Sequence, residues 1–204
     1  MREDLRDLSR LPELSRIEML ISLLPERAAR PLGFNSLRED LETSYGTVKR
    51  WIDYLRELYY HFELKPWSRY ISRSLKKESK LYLWDWSEIK DPGRKFENIC
   101  ACHLLKACHY WTDTGEGAFE LFYLRTKEKK EIDFLITRDG RPWLPIECKK
   151  SETAASPNFP SFARALALPI LVQLVDRPRY LKKKNIEGRT LWVWSAAQFF
   201  RHTP

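Results

Sequence analysis

Asp133, Glu147 and Lys149 are the residues of this sequence whose types and spacing suit chemistry. They lie in E-I-D-F-L-I-T-R-D-G-R-P-W-L-P-I-E-C-K, residues 131–149, which reads as two strands joined by a tight turn. Ile132, Phe134 and Ile136 alternate with Asp133 and Leu135, and Ile146 and Cys148 alternate with Glu147 and Lys149. Period-two alternation gives each strand one apolar and one chemical face. Asp139-Gly140 between alternating runs is a hairpin signal, because the favoured two-residue turn needs positive φ at both positions. Register decides the chemistry. Arg138 opposite Arg141 without irregularity sets Asp133 against Ile146, on the wrong face. One bulge, or one extra loop residue, sets Asp133 against Glu147 and places both apolar sets in the core, so this second register is expected.

Two carboxylates facing each other across a sheet repel, and without a cation one of them has its pKa raised. A hard divalent cation, Mg²⁺ or Mn²⁺, relieves the repulsion and is commonly held by one or two carboxylates plus substrate phosphates. Lys149 adds a positive charge beside the pair, suited to orienting an attacking water or neutralising charge on a phosphate. The alternative is a surface hairpin with a cross-strand Asp133–Lys149 or Glu147–Lys149 ion pair.

Asp133 followed, after a short hairpin, by Glu147-Cys148-Lys149 resembles the D…E-x-K signature of the PD-(D/E)XK nuclease-like fold. With Gly93 and Glu97 in G-R-K-F-E-N, the wider pattern is similar to the C-terminal domain of unknown function carried by many prokaryotic AAA-type ATPases. Ile132 stands where the signature has proline. The resemblance implies a restriction-endonuclease-like mixed sheet flanked by helices. It also implies metal binding by Asp133, Glu147 and the backbone carbonyl of Cys148, with Glu97 assisting and Lys149 positioning water or phosphate. The ATPase part is absent: the chain has no G-x-x-x-x-G-K-[S/T], so no nucleotide cofactor is expected.

The elements that must position these residues are legible on both sides. Asp91-Pro92-Gly93 marks a boundary, after which Phe96, Ile99, Cys100, His103, Leu104, Ala107, Cys108 and Trp111 define an amphipathic helix with Glu97 in its first turn. Residues 119–126 read as a strand into the hairpin, 156–168 as a helix, and the apolar run 170–175 as a central strand covered on both faces. A strand at 190–194 and a helix at 196–201 close the chain, with Arg177, Arg179, Lys182, Lys183, Lys184 and Arg189 in a basic loop before that strand. Upstream, Leu5, Leu8, Leu11, Ile17, Leu20 and Leu24 recur at helical spacing, with Pro12 breaking or starting a segment. Residues 34–58 read as a helix-turn-helix, its first helix capped by Asn35 or Ser36 and its second by Ser44 or Thr47. Val48, Trp51, Ile52 and Leu55 face inward, and Lys49 and Arg50 outward. Strands at 60–66 and 80–86, separated by the basic stretch Arg69 to Lys77, complete a winged-helix pattern.

Of 204 residues, 43% are hydrophobic, enough for a real core, and the chain carries a net charge of +8. Basic residues outnumber acidic ones by 17 to 15 over residues 1–90 and by 19 to 13 over residues 91–204, which favours an anionic partner for the second part. Cys100, Cys102, Cys108 and Cys148 form no Cys-x-x-Cys pair, so zinc is not expected; Cys148 should face the core beneath the site. No leader or membrane-length apolar run is read, which points to the cytoplasm.

The expectation is therefore an α/β protein: a helical and winged-helix-like module over residues 1–90, then a nuclease-like domain over 91–204. Its expected activity is Mg²⁺- or Mn²⁺-dependent phosphodiester hydrolysis on nucleic acid, DNA first. Lys49, Arg50, Lys182, Lys183 and Lys184 are the candidate nucleic-acid contacts. The alternative is a catalytically silent DNA- or protein-binding module that couples to an ATPase partner.

Overall fold

In the computed structural model the described residues are 14–68, 78–151 and 153–204. The expectations for Leu5, Leu8, Leu11 and Pro12, and for Arg69, Arg73, Lys76 and Lys77, lie outside them.

Helical spacing of leucines folds as α1 (Leu14–Leu23), which buries Ile17 and Leu20. A short 3-10 turn, Leu24–Arg27, follows with Pro25 at its start, and β1 (Arg30–Pro31) leads to α2 (Phe34–Asp40). The cap of α2 is Gly33, not Asn35 or Ser36, because its φ of 62° is a left-handed value that glycine adopts without steric cost. Ser44 caps α3 (Tyr45–Glu57) as expected, its Oγ accepting from the Thr47 N–H at 3.1 Å. Val48, Trp51, Ile52 and Leu55 of α3 are buried. Strands β2 (His61–Leu64) and β3 (Lys80–Leu83) form a small sheet with β1, in the order β1-β3-β2.

The alternation of K-L-Y-L in β3 shares the strand between two cores. Leu81 and Leu83 pack with Ile17, Leu20, Leu37 and Trp51 in the helical region, while Tyr82 packs into the core of the larger sheet. All four residues of β3 are buried. The small sheet is tied to the larger one behind it: the Trp67 N–H donates to the Tyr123 carbonyl at 2.8 Å, and the Tyr123 N–H to the Lys65 carbonyl at 3.1 Å.

Helix α4 (Pro92–Asp113) starts at a cap formed by Asp91, whose carboxylate accepts from the Arg94 N–H at 2.8 Å. Pro92 follows, where a missing N–H costs nothing. This start corrects the expectation for Glu97, which lies in the second turn and not the first. Asn98 is wholly buried and pairs with both backbone groups of Leu83, at 2.9 and 2.7 Å, so α4 is bolted to β3.

Six strands form the main sheet in the order β4-β5-β6-β7-β9-β8: Phe119–Arg125, Glu131–Arg138, Arg141–Lys149, Ile170–Val175, Arg189–Ser195 and Leu181–Ile186. The sheet is mixed, with β6, β7 and β9 parallel and the remaining pairs antiparallel. Helix α4 covers one face through Cys100 and Leu104, and α5 (Phe159–Leu166) covers the other through Phe159 and Phe162. The short α6 (Ala196–Phe199) closes the chain. Helix α5 begins three residues later than expected because Ser156 is held to the sheet, its N–H donating to Gln173 Oε1 at 3.0 Å.

The hairpin turns at Asp139 and Gly140 with φ of 51° and 72°, and Arg138 faces Arg141. A bulge then shifts the register between Thr137 and Ile136, leaving Trp143 unmatched, so Ile136 faces Leu144 and Phe134 faces Ile146. The strand pairing ends there, and beyond it the Asp133 N–H donates to Glu147 Oε2 at 3.4 Å and the Cys148 N–H to Asp133 Oδ2 at 2.8 Å, so the bulge brings Asp133 to Glu147 as expected. The expected faces need correction. Leu135 is as buried as Phe134, and Ile132 packs with Leu135 and Phe159 on the α5 side, whereas Phe134 and Ile136 pack under α4. The cause is a second bulge, on β5: Phe122 faces Leu135 but Leu124 faces Ile132, so Asp133 and Phe134 together oppose Tyr123. A bulge adds one residue and re-aims the side chains that follow it.

The basic loop is also corrected. Lys182, Lys183 and Lys184 lie within the edge strand β8, which returns through Glu187-Gly188 with positive φ at both residues. Lysines on an edge strand discourage a further strand from adding to it.

Candidate carboxylate and lysine site

The bulge on β5, the register of β6 and the second turn of α4 bring Asp133, Glu147, Lys149 and Glu97 to one place. Asp133 Oδ2 accepts from the Cys148 N–H at 2.8 Å, and the Asp133 N–H donates to Glu147 Oε2 at 3.4 Å. Glu147 is 4% exposed. Its Oε1 accepts from the Ser156 hydroxyl at 3.1 Å and pairs with Lys149 Nζ at 3.1 Å. Gln173, buried one strand over, holds the Ser156 backbone and donates to the Ala154 carbonyl at 2.8 Å.

Three residues that the sequence reading did not single out complete the cluster: Lys80, Tyr82 and Glu131. The Lys80 ammonium is 2% exposed and lies 2.5 Å from Glu131 Oε1, 3.1 Å from Glu97 Oε1 and 3.9 Å from Asp133 Oδ1. It also sits 5.5 Å above the Tyr123 ring. The Tyr82 hydroxyl donates to Glu97 Oε1 at 2.9 Å, and Arg125 holds the other oxygen of Glu131 at 3.3 Å. A lysine at an alternate position of an otherwise apolar four-residue strand was the signal available in the sequence.

Burial and mutual repulsion dominate the electrostatics. Desolvation, then the charge of Asp133, pushes Glu97 up to about 8 against the pull of Lys80 and Tyr82. The same two causes push Glu147 up to about 7 against Lys149. Asp133 is raised by desolvation, with Lys80 and the Cys148 N–H opposing. Burial works against the Lys80 charge, but Glu97, Asp133 and Glu131 outweigh it and hold the ammonium well above its ordinary range. Tyr82 is raised far above its ordinary value, first by burial, and stays a neutral donor.

The donor set at Asp133 and Glu147 is all oxygen, which suits a hard cation. Among the described residues, Asp133 Oδ1 accepts no hydrogen bond and Glu147 Oε2 accepts only the long one from Asp133. No group of three or more His, Cys, Asp or Glu among the described residues is arranged to hold a metal ion. Glu97 instead turns its carboxylate to Lys80 and Tyr82. Cys148 is half-buried and packs against the core under α4, as expected.

The candidate nucleic-acid contacts lie elsewhere. Lys49 and Arg50 are exposed on α3, and Lys182 and Lys183 are exposed on β8, three strands from β6. Lys184 is half-buried and donates to the Thr153 carbonyl at 2.6 Å. Lys183 lies 5.7 Å above the Trp192 ring. No helix among the described residues is long and apolar enough to cross a membrane.

Residues 1–87 match the model of a family described as Domain of unknown function (DUF8612), and residues 92–193 that of Domain of unknown function (DUF4143). No curated protein and no solved structure matches the chain.

Proposed function

We propose, for a chain that belongs to the DUF4143 family, that the cluster at the β5–β6 hairpin is a metal-dependent phosphodiesterase site acting on nucleic acid, DNA first. One observation carries this reading: Asp133 and Glu147 meet across adjacent strands, the Asp133 N–H donating to Glu147 Oε2 at 3.4 Å, while Lys149 pairs with Glu147 at 3.1 Å. Asp133, Glu147 and the Cys148 carbonyl would hold Mg²⁺ or Mn²⁺, whose chemistry is to polarise a phosphoryl oxygen and acidify a bound water. The chain's own residues do the rest. Ser156 and Lys149 fix one oxygen of Glu147 and leave Oε2 turned to Asp133. The Cys148 N–H fixes one oxygen of Asp133 and leaves Oδ1 for a ligand. Lys149, half-exposed, is placed to orient water or to neutralise charge on a phosphate. Glu97 acts through Lys80, holding Asp133 in its place.

The mixed sheet between α4 and α5 is compatible with a nuclease-like fold, and α1–α3 followed by β2 and β3 with a winged helix whose second helix, α3, presents Lys49 and Arg50. A cytoplasmic setting and an ATPase partner belong to the same proposal. They rest on the resemblance of the Glu97, Asp133 and Glu147-Cys148-Lys149 motifs.

A second reading has its own support. Lys80 places a protein-borne cation among Glu97, Glu131 and Asp133, as in a site that has exchanged catalysis for a fixed ion cluster and serves as a binding module. Incubation of plasmid and single-stranded DNA with Mn²⁺ separates the two. Cleavage by the wild type that is lost in Glu147→Ala and in Lys149→Met supports the phosphodiesterase. Wild-type protein that leaves every substrate intact leaves the binding module.

A further inference from the structure

A cleft of about 630 Å³, lined by none of the cluster's residues, takes no part in the chemistry described above. It lies at the carboxyl ends of the three parallel strands. Lys150 follows the last residue of β6, Asp176 the last of β7, and Ala196 the last of β9; the Asp176 N–H donates to the Lys150 carbonyl at 3.0 Å and fixes that edge. Ligands of open α/β sheets bind in crevices outside the carboxyl ends of their strands.

The floor is apolar and partly aromatic: Phe96 and Ile99 from α4 meet Phe200 just past α6, whose ring stacks on His103 at 4.6 Å. The rim is basic. Lys90, Lys95, Lys150 and Arg201 surround it against one carboxylate, Asp176. An apolar slot ringed by cations selects a ligand that is flat and apolar in the middle and anionic at its edges. Its volume is that of a site for a single small ligand and does not admit a duplex.

We propose that this cleft seats one unpaired nucleotide of the nucleic-acid substrate. Its base lies over Phe96, Ile99 and Phe200, and its flanking phosphates meet Lys90, Lys150 and Arg201. The inference rests on the phosphodiesterase reading for the identity of the ligand and adds to it a preference for single-stranded or locally opened substrate.

The test is fluorescence anisotropy with a labelled 12-nucleotide oligothymidylate, in EDTA so that neither metal nor cleavage is involved. The comparison ligands are the same backbone with abasic units, the matching duplex, and a poly-glutamate peptide of equal charge. Stacking of one base corresponds to about a tenfold preference for the oligothymidylate over the abasic strand and the duplex. Ile99→Trp and Ala197→Trp, which fill the cleft from its floor and its mouth without changing charge, are expected to erase that preference and leave abasic-level binding. The exposed position of Ala197 keeps the test valid if Ile99→Trp fails to fold. Lys150→Glu with Arg201→Glu is expected to weaken oligothymidylate and abasic strand alike. Equal affinity for abasic and normal strands, unchanged binding by Ala197→Trp, or a peptide that binds as tightly as the oligonucleotide overturns the proposal. Failure of the phosphodiesterase reading shows instead as absent cleavage with Mn²⁺ and leaves these affinities untouched.

Discussion

Lys80→Met removes a buried cation from among three carboxylates while keeping the apolar stem that crosses the Tyr123 ring. Deleting one partner of a buried ion pair costs about 3–5 kcal/mol, chiefly because the charge left behind remains desolvated. Glu97 and Glu131, at 3.1 and 2.5 Å from the ammonium, are the groups left behind. Glu97 can escape by taking up a proton, being already raised to about 8 with Lys80 present. The sign follows from linkage. A carboxyl whose folded pKa is raised binds more protons folded than unfolded, so its stabilisation is present at low pH and is lost as pH rises through the folded pKa. Each extra proton held by the native variant contributes a slope of about 1.4 kcal/mol per pH unit. The expected loss is therefore about 4 kcal/mol at pH 8, shrinking by at least half at pH 5. For a chain of this size the pH 8 loss is a fall in melting temperature of about 8–16 °C. Urea unfolding followed by tryptophan fluorescence, at both pH values, measures it. Adding Glu97→Gln should recover at least about 1 kcal/mol at pH 8, because the stranded charge is gone. A Lys80→Met protein within about 1 kcal/mol of wild type at pH 8, or an equal loss at both pH values, would refute this account of the cluster.

Three further outcomes are expected. Mn²⁺ at a hundredfold excess over its dissociation constant should stabilise the wild type by about 2.7 kcal/mol. Asp133→Asn should abolish most of that shift in a thermal scan yet leave metal-free stability within about 1 kcal/mol, since an amide oxygen can still accept from Cys148. His61 is buried with its Nε2 at 3.0 Å from the Ile52 carbonyl, and burial lowers its pKa from 6.5 to about 4. Its folded form therefore binds fewer protons than its unfolded form, and stability is lost as pH falls from 6.5 towards 4, by about 3 kcal/mol in all. Subtracting the pH profile of His61→Leu from that of the wild type isolates this slope; a flat difference means that His61 binds its proton equally in the folded and unfolded chain and refutes the shift. Nucleic-acid affinity should fall steeply with salt, and replacing Lys182, Lys183 and Lys184 by Gln should reduce the slope of log affinity against log salt without unfolding the protein. A wild-type slope near zero would leave a protein-binding role.

What the amino-acid order determined by itself is whatever local period and turn chemistry encode. Asp139-Gly140 demanded positive φ at two adjacent residues, and the register that kept both Ile146 and Glu147 on tolerable faces brought Asp133 to Glu147. Asp91-Pro92 announced the start of α4, Ser44 the start of α3, and the apolar run 170–175 a strand between two covered faces. Tertiary structure decided what those residues meet. Lys80 and Tyr82 reach Glu97 because Asn98 pins β3 to α4, a contact between residues 15 apart in sequence that no local period records. The bulge that turns Asp133 and Ile132 to their places depends on Tyr123 of another strand, whose backbone is held in turn by Lys65 and Trp67. Six closely spaced basic residues looked like a loop because their composition suits solvent. They include an edge strand, because Val193 and Trp192 of β9 offered unpaired backbone groups to Lys182 and Lys183. Charge and alternation are properties of the chain, but the partner that neutralises a buried charge is a property of the fold, because pairing energy depends on distance in space and not along the sequence.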